Sequence, residues 1–340
     1  MNTIHIGLGI QGKHWMSFVR RHPDVTPLGY VDPDSSALQW VKTNFPELSC
    51  SEDLEPLSHK ISADAAIIAG TPWLRATHAI KALEAGLTVL VEAPFATSLT
   101  DAMKVLDASR RTGKLLLVAA PSDTIPGDSM LRRLLDSKRV GTITHVSWID
   151  RRSVSSEEDA SVPYSHLVSV GVHHFERLRR ILRADPVSLI ARCNRSPWSP
   201  YQHGSTTEAF VKMENNIHFQ YFGSLTSGRN EHILWIEGDK GVLKVENSRI
   251  WWRKLGWRFF VPLSLRRFSL QEPVQDSESL LSQLDAGVRG DLSSRTNNEG
   301  SLRLVTTLET VMQSDKNGEV VEIPQLPSAL KVAGGSLATA

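Results

Sequence analysis

The strongest constraint on this chain lies in its first twelve residues. A short apolar run, Thr3 to Ile6, leads at once into Gly7-Leu8-Gly9-Ile10-Gln11-Gly12 and then into a helix-like stretch to about Arg21. Each glycine answers a different steric demand. Gly7 permits a tight turn, Gly9 lets backbone approach a pyrophosphate, and Gly12 lets helix pack closely on strand. The helix start adds amide donors and the positive end of a dipole, which suit a phosphate. A second run, "PLGYVD", ends in Asp32, about twenty residues after Gly12, the separation expected of an acid that binds a ribose. A carboxylate there accepts hydrogen bonds from a 2′-hydroxyl and repels a 2′-phosphate, so the pattern predicts NAD in preference to NADP. The alternative, an ordinary glycine turn beside a strand-end acid, has to explain the glycines, the flanking elements and the acid separately.

The next hundred residues repeat the alternation. "ADAAIIAG" (63–70), "LTVLVE" (87–92) and "KLLLVAA" (114–120) read as strands. "ATHAIKALEAG" (76–86) and "LTDAMKVLDASRRTG" (99–113) read as helices closed by glycine. Continuous Val, Ile and Leu runs between helices mean a parallel sheet covered on both faces, with ligand at the carboxyl ends of its strands. "TPWLR" (71–75), "EAPF" (92–95) and "APSDTIP" (120–126) fall there. The expected cofactor contacts are therefore Gly7, Gly9, Ile10, Gln11, Gly12, Asp32, Thr71, Pro72, Trp73, Glu92, Ala93 and Pro94.

Later segments, "VSLIARCNR", "EAFVKMEN", "HFQYFGSL", "HILWIEG", "GVLKVEN" and "RIWWRKL", read as strands separated by turn residues. The expected division is 1–120, 121–325 and a Gly-, Ala- and Ser-rich tail at 326–340. Net charge is +1 over 340 residues, so nothing global steers the chain to nucleic acid or to an anionic membrane. Short basic runs such as Arg177, Arg179 and Arg180 are expected to be a solvated helix face. Cys50 and Cys193 are the two cysteines, without metal-ligand spacing, which argues against a disulfide framework and a zinc site. The sequence holds no apolar run of membrane-spanning length and no charged leader region, and a cytoplasmic protein is expected.

These pieces, in this order, resemble the Gfo/Idh/MocA family of NAD(P)-dependent oxidoreductases. "GLGIQGKHW", "GTPW", "ALEAGLTVLVEAP", "RRTGKLLLVAAPSDTIP", "LLDSKRVGTITHV", "SVGVHHFERLRRIL", "WIEGDKGVLKVEN" and "LRLVTTLETVMQSDKNGEVVEI" each match a landmark of that family. The resemblance implies an α/β fold: an N-terminal Rossmann dinucleotide-binding domain, then a C-terminal α/β domain with a large, open, mostly antiparallel sheet. It also implies hydride transfer between a nicotinamide and a sugar or polyol carbon, assisted by the lysine of a Glu-Lys-Pro motif and by the Asp and His of a D-x-G-x-H motif. Here the lysine position is Ala93 and the aspartate position is Ser169, while Glu92, Pro94, Gly171 and His173 match.

His173 is then the candidate acid–base group, with Asp123, Tyr164 and His166 as weaker substitutes for the missing carriers; a packed helix histidine is the bland alternative for His173, and a loop role for Tyr164 and His166. His174 is expected to be structural or exposed. Ser169 with His173 lacks the third member and oxyanion hole of a hydrolase. Two readings stand open: an NAD-dependent oxidoreductase with an altered site acting on a sugar-like small molecule, or a dinucleotide-binding regulatory protein without turnover. A homodimer or a tetramer is expected through the open sheet, because an exposed apolar face invites burial.

Overall fold

The first strand, β1 (Asn2–Ile6), ends at the glycine loop and hands over to α1 (Ile10–Val19) in the computed structural model. The structure describes residues 1–119, 126–153, 160–246, 249–263, 277–291 and 298–326. The alternation then runs through β2 (Thr26–Val31), α2 (Ser35–Asn44), β3 (Ser49–Ser51), α3 (Leu54–Ser58), β4 (Ala65–Ile68), α4 (Pro72–Glu84), β5 (Thr88–Glu92), α5 (Leu99–Thr112) and β6 (Leu116–Ala119). The six strands pair in parallel in the order β3-β2-β1-β4-β5-β6. Every residue of β4 and β5 is buried, which is why both read as unbroken apolar runs.

Local chemistry sets the helix ends. Ser98 caps α5, its Oγ accepting from the Asp101 amide at 3.1 Å, and Gly113 closes the helix with φ 68°. Helix α4 begins at Pro72, four residues before the expected start. Proline is well placed at a first helical position, where its missing N–H has no intrahelical partner to lose. Trp73, Leu74 and Arg75 therefore sit on the first turn of a helix, where a loop was expected.

Chain β7 (Ile143–Ser153) follows α6 (Pro126–Asp136) and opens a second sheet. A π-helical turn at Leu167–Gly171 runs into α7 (Val172–Leu182), and the strands β8 (Pro186–Asn194), β9 (Thr206–Met213), β10 (His218–Ser224), β11 (Thr226–Gly238), β12 (Gly241–Glu246), β13 (Arg249–Lys254) and β14 (Val261–Pro262) follow. Helices α8 (Ser277–Val288) and α9 (Asn298–Asn317) precede the last strand, β15 (Val321–Glu322). The order is β14-β13-β12-β11-β7-β10-β9-β8-β15. Only the β7–β10 neighbours run in parallel; the other pairs are antiparallel. One face is the core. Strand β9 alternates buried Ala209, Val211 and Met213 with exposed Glu208, Phe210 and Lys212, the period-2 signature of a half-covered sheet.

The chain forms two compact units, and a linear division at residue 120 does not describe them. Gln275–Val305 belongs with Met1–Ala120, and Pro121–Val274 with Thr306–Gln325. The reason is packing. Leu280, Leu281 and Leu284 of α8 join Trp15, Val19, Ile67, Leu90 and Leu117 in one buried cluster, and a side chain at Gly287 would run into Leu115. In the second unit the later part of α9 lies along β8: the Ala191 amide donates to Ser314 Oγ at 2.9 Å, and the Cys193 amide to Asp315 Oδ1 at 2.8 Å. Leu326, placed by expectation in the tail, is buried, and residues 327–340 lie outside the described ones. Among the described residues no helix is long and apolar enough to cross a membrane.

Candidate functional site

The carboxyl edge of the parallel sheet is built by close backbone approach. Gly7 adopts φ 97°, and a Cβ there would collide with the backbone of Gly70 at the end of β4. A Cβ on Gly12 would collide with the carbonyl of Gly7. These two positions therefore need glycine for the loop itself to form. Gly9 differs: a Cβ would meet nothing within 4 Å, and as N-cap of α1 it offers no side chain to the helix amides. Ile10 and Gln11 beside it are exposed. An open space above uncapped amide donors suits an anion.

Asp32, at the end of β2, is half-buried and held on both oxygens. The Leu8 amide donates to Oδ2 at 2.6 Å and the Asp34 amide to Oδ1 at 2.8 Å. The carboxylate is thus oriented by the glycine loop and by the entry to α2, and each oxygen keeps a lone pair for a further donor.

Glu92 has a different task. Its Oε1 accepts from Trp15 Nε1 at 2.6 Å, with both side chains buried, so it ties α1 to the end of β5. Ala93 is also buried. The guanidinium of Arg75 bridges two strand ends, Nε donating to the Gly70 carbonyl at 2.8 Å and Nη1 to the Pro94 carbonyl at 3.2 Å. This clamp was not legible in the sequence, because neither acceptor is a side chain. Thr71 and Pro72 start α4, and the indole Nε1 of the half-buried Trp73 has no hydrogen-bond partner.

In the second unit His173 is half-buried on the first turn of α7, directly after the π-helical turn. Ser169, within that turn, is exposed and its hydroxyl donates to the Ser165 carbonyl. Tyr164 is half-buried with φ 53°, and burial followed by the nearby Asp315 charge raises its phenol. His166 is fully buried, not in a loop facing solvent. Its Nδ1 lies 3.0 Å from Thr207 Oγ1, and burial pushes the imidazole down to about 3. His166 therefore stays neutral within the helix–sheet layer, and His173 is the less buried residue of the two. Asp123 lies outside the described residues.

Helix α7 is fixed by an ion pair that contradicts the expected solvated face. Arg177 is 2% exposed and pairs with Asp128 of α6 at 2.7 Å. Arg179 is engaged by Glu176 at 2.8 Å and Asp185 at 3.1 Å. A buried arginine is tolerated because its partner is equally buried, and that partner stands 49 residues away in sequence. His174 is buried and stacks on Trp148 with centroids 4.4 Å apart.

Comparison with known proteins agrees with this architecture. Residues 1–120 match the model of the "Oxidoreductase family, NAD-binding Rossmann fold", Gfo/Idh/MocA. A 1-carboxy-3-chloro-3,4-dihydroxycyclo hexa-1,5-diene dehydrogenase from Comamonas testosteroni is 25% identical over 214 residues, 60% of this chain, and the match spans about half (53%) of that protein. Among solved structures, the WlbA dehydrogenase from Bordetella pertussis, in complex with NADH and UDP-GlcNAcA, superposes with a TM-score of 0.75 at 17% identity, covering 95% of this chain and 98% of that one. An aldose-aldose oxidoreductase from Caulobacter crescentus, complexed with glycerol, superposes at 0.72 with 14% identity, covering 95% and 99%. The glycine loop on β1 and Asp32 on β2 lie in the part of the chain, residues 1–120, that matches the Gfo/Idh/MocA model of NAD-binding Rossmann oxidoreductases, and over nearly its whole length the chain shares the fold of these solved structures.

Proposed function

We propose that this protein is an NAD(H)-dependent oxidoreductase acting on a CH–OH group of a sugar, polyol or related cyclic hydroxy compound, through a site that has lost the family lysine and aspartate. The observation that carries the reading is the Asp32 carboxylate, held at 2.6 Å by the amide of Leu8 inside the glycine loop. A fixed negative charge at the end of β2 favours a ribose 2′-hydroxyl over a 2′-phosphate, hence NAD over NADP. The open space above Gly9 fits the pyrophosphate of such a cofactor. When bound, the nicotinamide supplies the hydride acceptor. The protein supplies placement and a proton acceptor, and His173 takes the hydroxyl proton in this reading.

Ala93 bears on the substrate. Removing an electrostatic stabiliser from an active site typically costs roughly 3–4 kcal/mol of barrier. A substrate with an activated C–H needs less help. A dihydroxycyclohexadiene, the class named for the Comamonas relative, gains an aromatic ring on dehydrogenation. Such diols belong beside sugars and polyols in the test, which follows NADH absorbance with each compound. NADH formation that falls sharply in His173→Ala supports the reading. No turnover across the panel by a protein that binds NAD favours the second one.

That second reading is a dinucleotide-binding regulatory or sensor protein. It is favoured by the burial of Ala93 and by the Ser169 hydroxyl being committed to the Ser165 carbonyl. Either protein would pair through the outward face of its nine-stranded sheet, where Phe210 is 61% exposed. Light scattering should give a dimer or tetramer, with Phe210→Glu shifting it toward monomer; a wild-type monomer at micromolar concentration would remove the pairing.

A further inference from the structure

A permanent cation is built into the carboxyl edge of the parallel sheet. Arg75 lies on the first turn of α4 and is 7% exposed. Its guanidinium spans two strand ends: Nε donates to the Gly70 carbonyl just past β4, and Nη1 to the Pro94 carbonyl just past β5. Pro94 directly follows the buried Ala93. Gly70 backs onto the glycine loop, since a Cβ on Gly7 would collide with its backbone. The cation therefore stands between that loop and Ala93. A guanidinium keeps its proton even when buried. Two backbone carbonyls fix its position, and burial limits screening by salt. The start of α4 adds to the same potential: Thr71 gives the first amides no side-chain acceptor, and that end of a helix is positive.

Strand order tells which half of a dinucleotide meets this cation. The order β3-β2-β1-β4-β5-β6 reverses direction between β1 and β4, and a dinucleotide lies across such a switch point. Asp32, which suits the ribose of the adenosine half, stands at the end of β2, held by the Leu8 amide. The open space above Gly9 suits the pyrophosphate at the centre. The nicotinamide half is then left the β4 and β5 side, where Arg75 joins Gly70 to Pro94. The two redox states of that ring differ in charge: the oxidised ring carries one positive charge, and the reduced ring carries none.

We propose that Arg75 selects the redox state of the bound cofactor: its fixed charge weakens the oxidised dinucleotide relative to the reduced one, and the site holds NADH more tightly than NAD. This rests on the NAD(H) reading of the same site. Two like unit charges in a partly buried setting repel strongly enough to move an equilibrium by about tenfold or more. Neutralising Arg75 changes the local charge by one unit, whatever other groups the side chain meets. The bound cofactor is thereby poised toward its reduced form.

The test is calorimetric titration of the full chain, freed of carried cofactor, with ADP-ribose, NAD and NADH. ADP-ribose lacks the ring and reports the dinucleotide site without it. The wild type should bind NADH more tightly than NAD by about tenfold or more. Arg75→Gln removes the charge but keeps an amide donor, and should shrink that preference by about tenfold. Arg75→Lys keeps the charge but cannot span both carbonyls; it should keep the preference even where both affinities fall. A clamp with a structural role alone would lower both affinities by one factor in both variants and leave the ratio untouched. A wild type that binds ADP-ribose yet takes NAD and NADH equally would overturn the assignment without any variant, and so would an unchanged ratio in Arg75→Gln. Binding of none of the three compounds would overturn the dinucleotide reading itself, and the role of Arg75 with it.

Discussion

The indole of Trp15 donates to the carboxylate of Glu92 at 2.6 Å, and both residues are buried. One bond joins the helix that follows the glycine loop to the strand that ends at the altered motif. Glu92 is thereby a structural anchor of the cofactor edge, whatever becomes of its missing lysine neighbour. Hydrogen bonds to charged groups contribute about 1.5–3 kcal/mol. Trp15→Phe removes this donor from a buried acid, so unfolding in urea should show a loss of about 2 kcal/mol. A variant as stable as the wild type would mean that the bond contributes nothing net.

The Asp32–Leu8 bond yields a selectivity prediction. Asp32→Asn keeps an acceptor for the amide and removes the charge. Like charges held together cost several kcal/mol, so NADP(H) affinity should rise relative to NAD(H) by about tenfold or more in calorimetry. An unchanged ratio would show that the carboxylate does not read the ribose.

The Arg177–Asp128 pair is buried on both sides. Breaking such a pair from one side typically costs about 3–5 kcal/mol, because a charge is left without its partner. Asp128→Ala should therefore destabilise severely, while Lys104→Ala, which breaks the exposed Lys104–Asp101 pair, should have little effect in the same denaturation assay. Equal effects from the two would refute the assigned burial.

Acid should destabilise this protein below the ordinary histidine range. Burial depresses His5 and His166 to about 3, from the usual 6.5. Between those values the unfolded chain takes up protons that the folded chain refuses, so stability is complete above about pH 6.5 and falls as pH drops toward 3. Each such histidine contributes a slope of about 1.4 kcal/mol per pH unit. Denaturant midpoints should be level from pH 7 to 8 and fall between pH 6 and 5, and His166→Gln should flatten the fall. A midpoint independent of pH down to 5 would contradict this.

Much of the first unit was legible because its signals are local. Gly7, Gly12 and Asp32 act within one turn of sequence neighbours or at a separation fixed by the strand–helix–strand path, and Gly113 closes α5 by itself. The strands β4 and β5 announce double burial by composition alone. The second unit was less legible for a physical reason. Strand β7 carries a buried acid, Asp150, at an inward position between Trp148 and Arg152, so its apolar alternation breaks where the structure keeps the strand going. Asp150 is satisfied by His232, 82 residues away, and Arg177 by Asp128. Such pairs exist only once the topology brings them together. The same holds for α8, whose leucines complete the core of the first unit although the other members of that core lie far away in sequence. His166 was read as a loop group because nothing in "PYSHL" shows that the following π-helical turn carries its ring inward.

The central claim is that the glycine loop and Asp32 form a working dinucleotide site selective for the unphosphorylated ribose. Calorimetric titration of the purified protein with NAD, NADH, NADP and NADPH, after removal of any cofactor carried through purification, tests it most directly. The account predicts saturable binding of NAD or NADH with little heat from NADP or NADPH. Binding to none of the four, or equal binding to all, would contradict it.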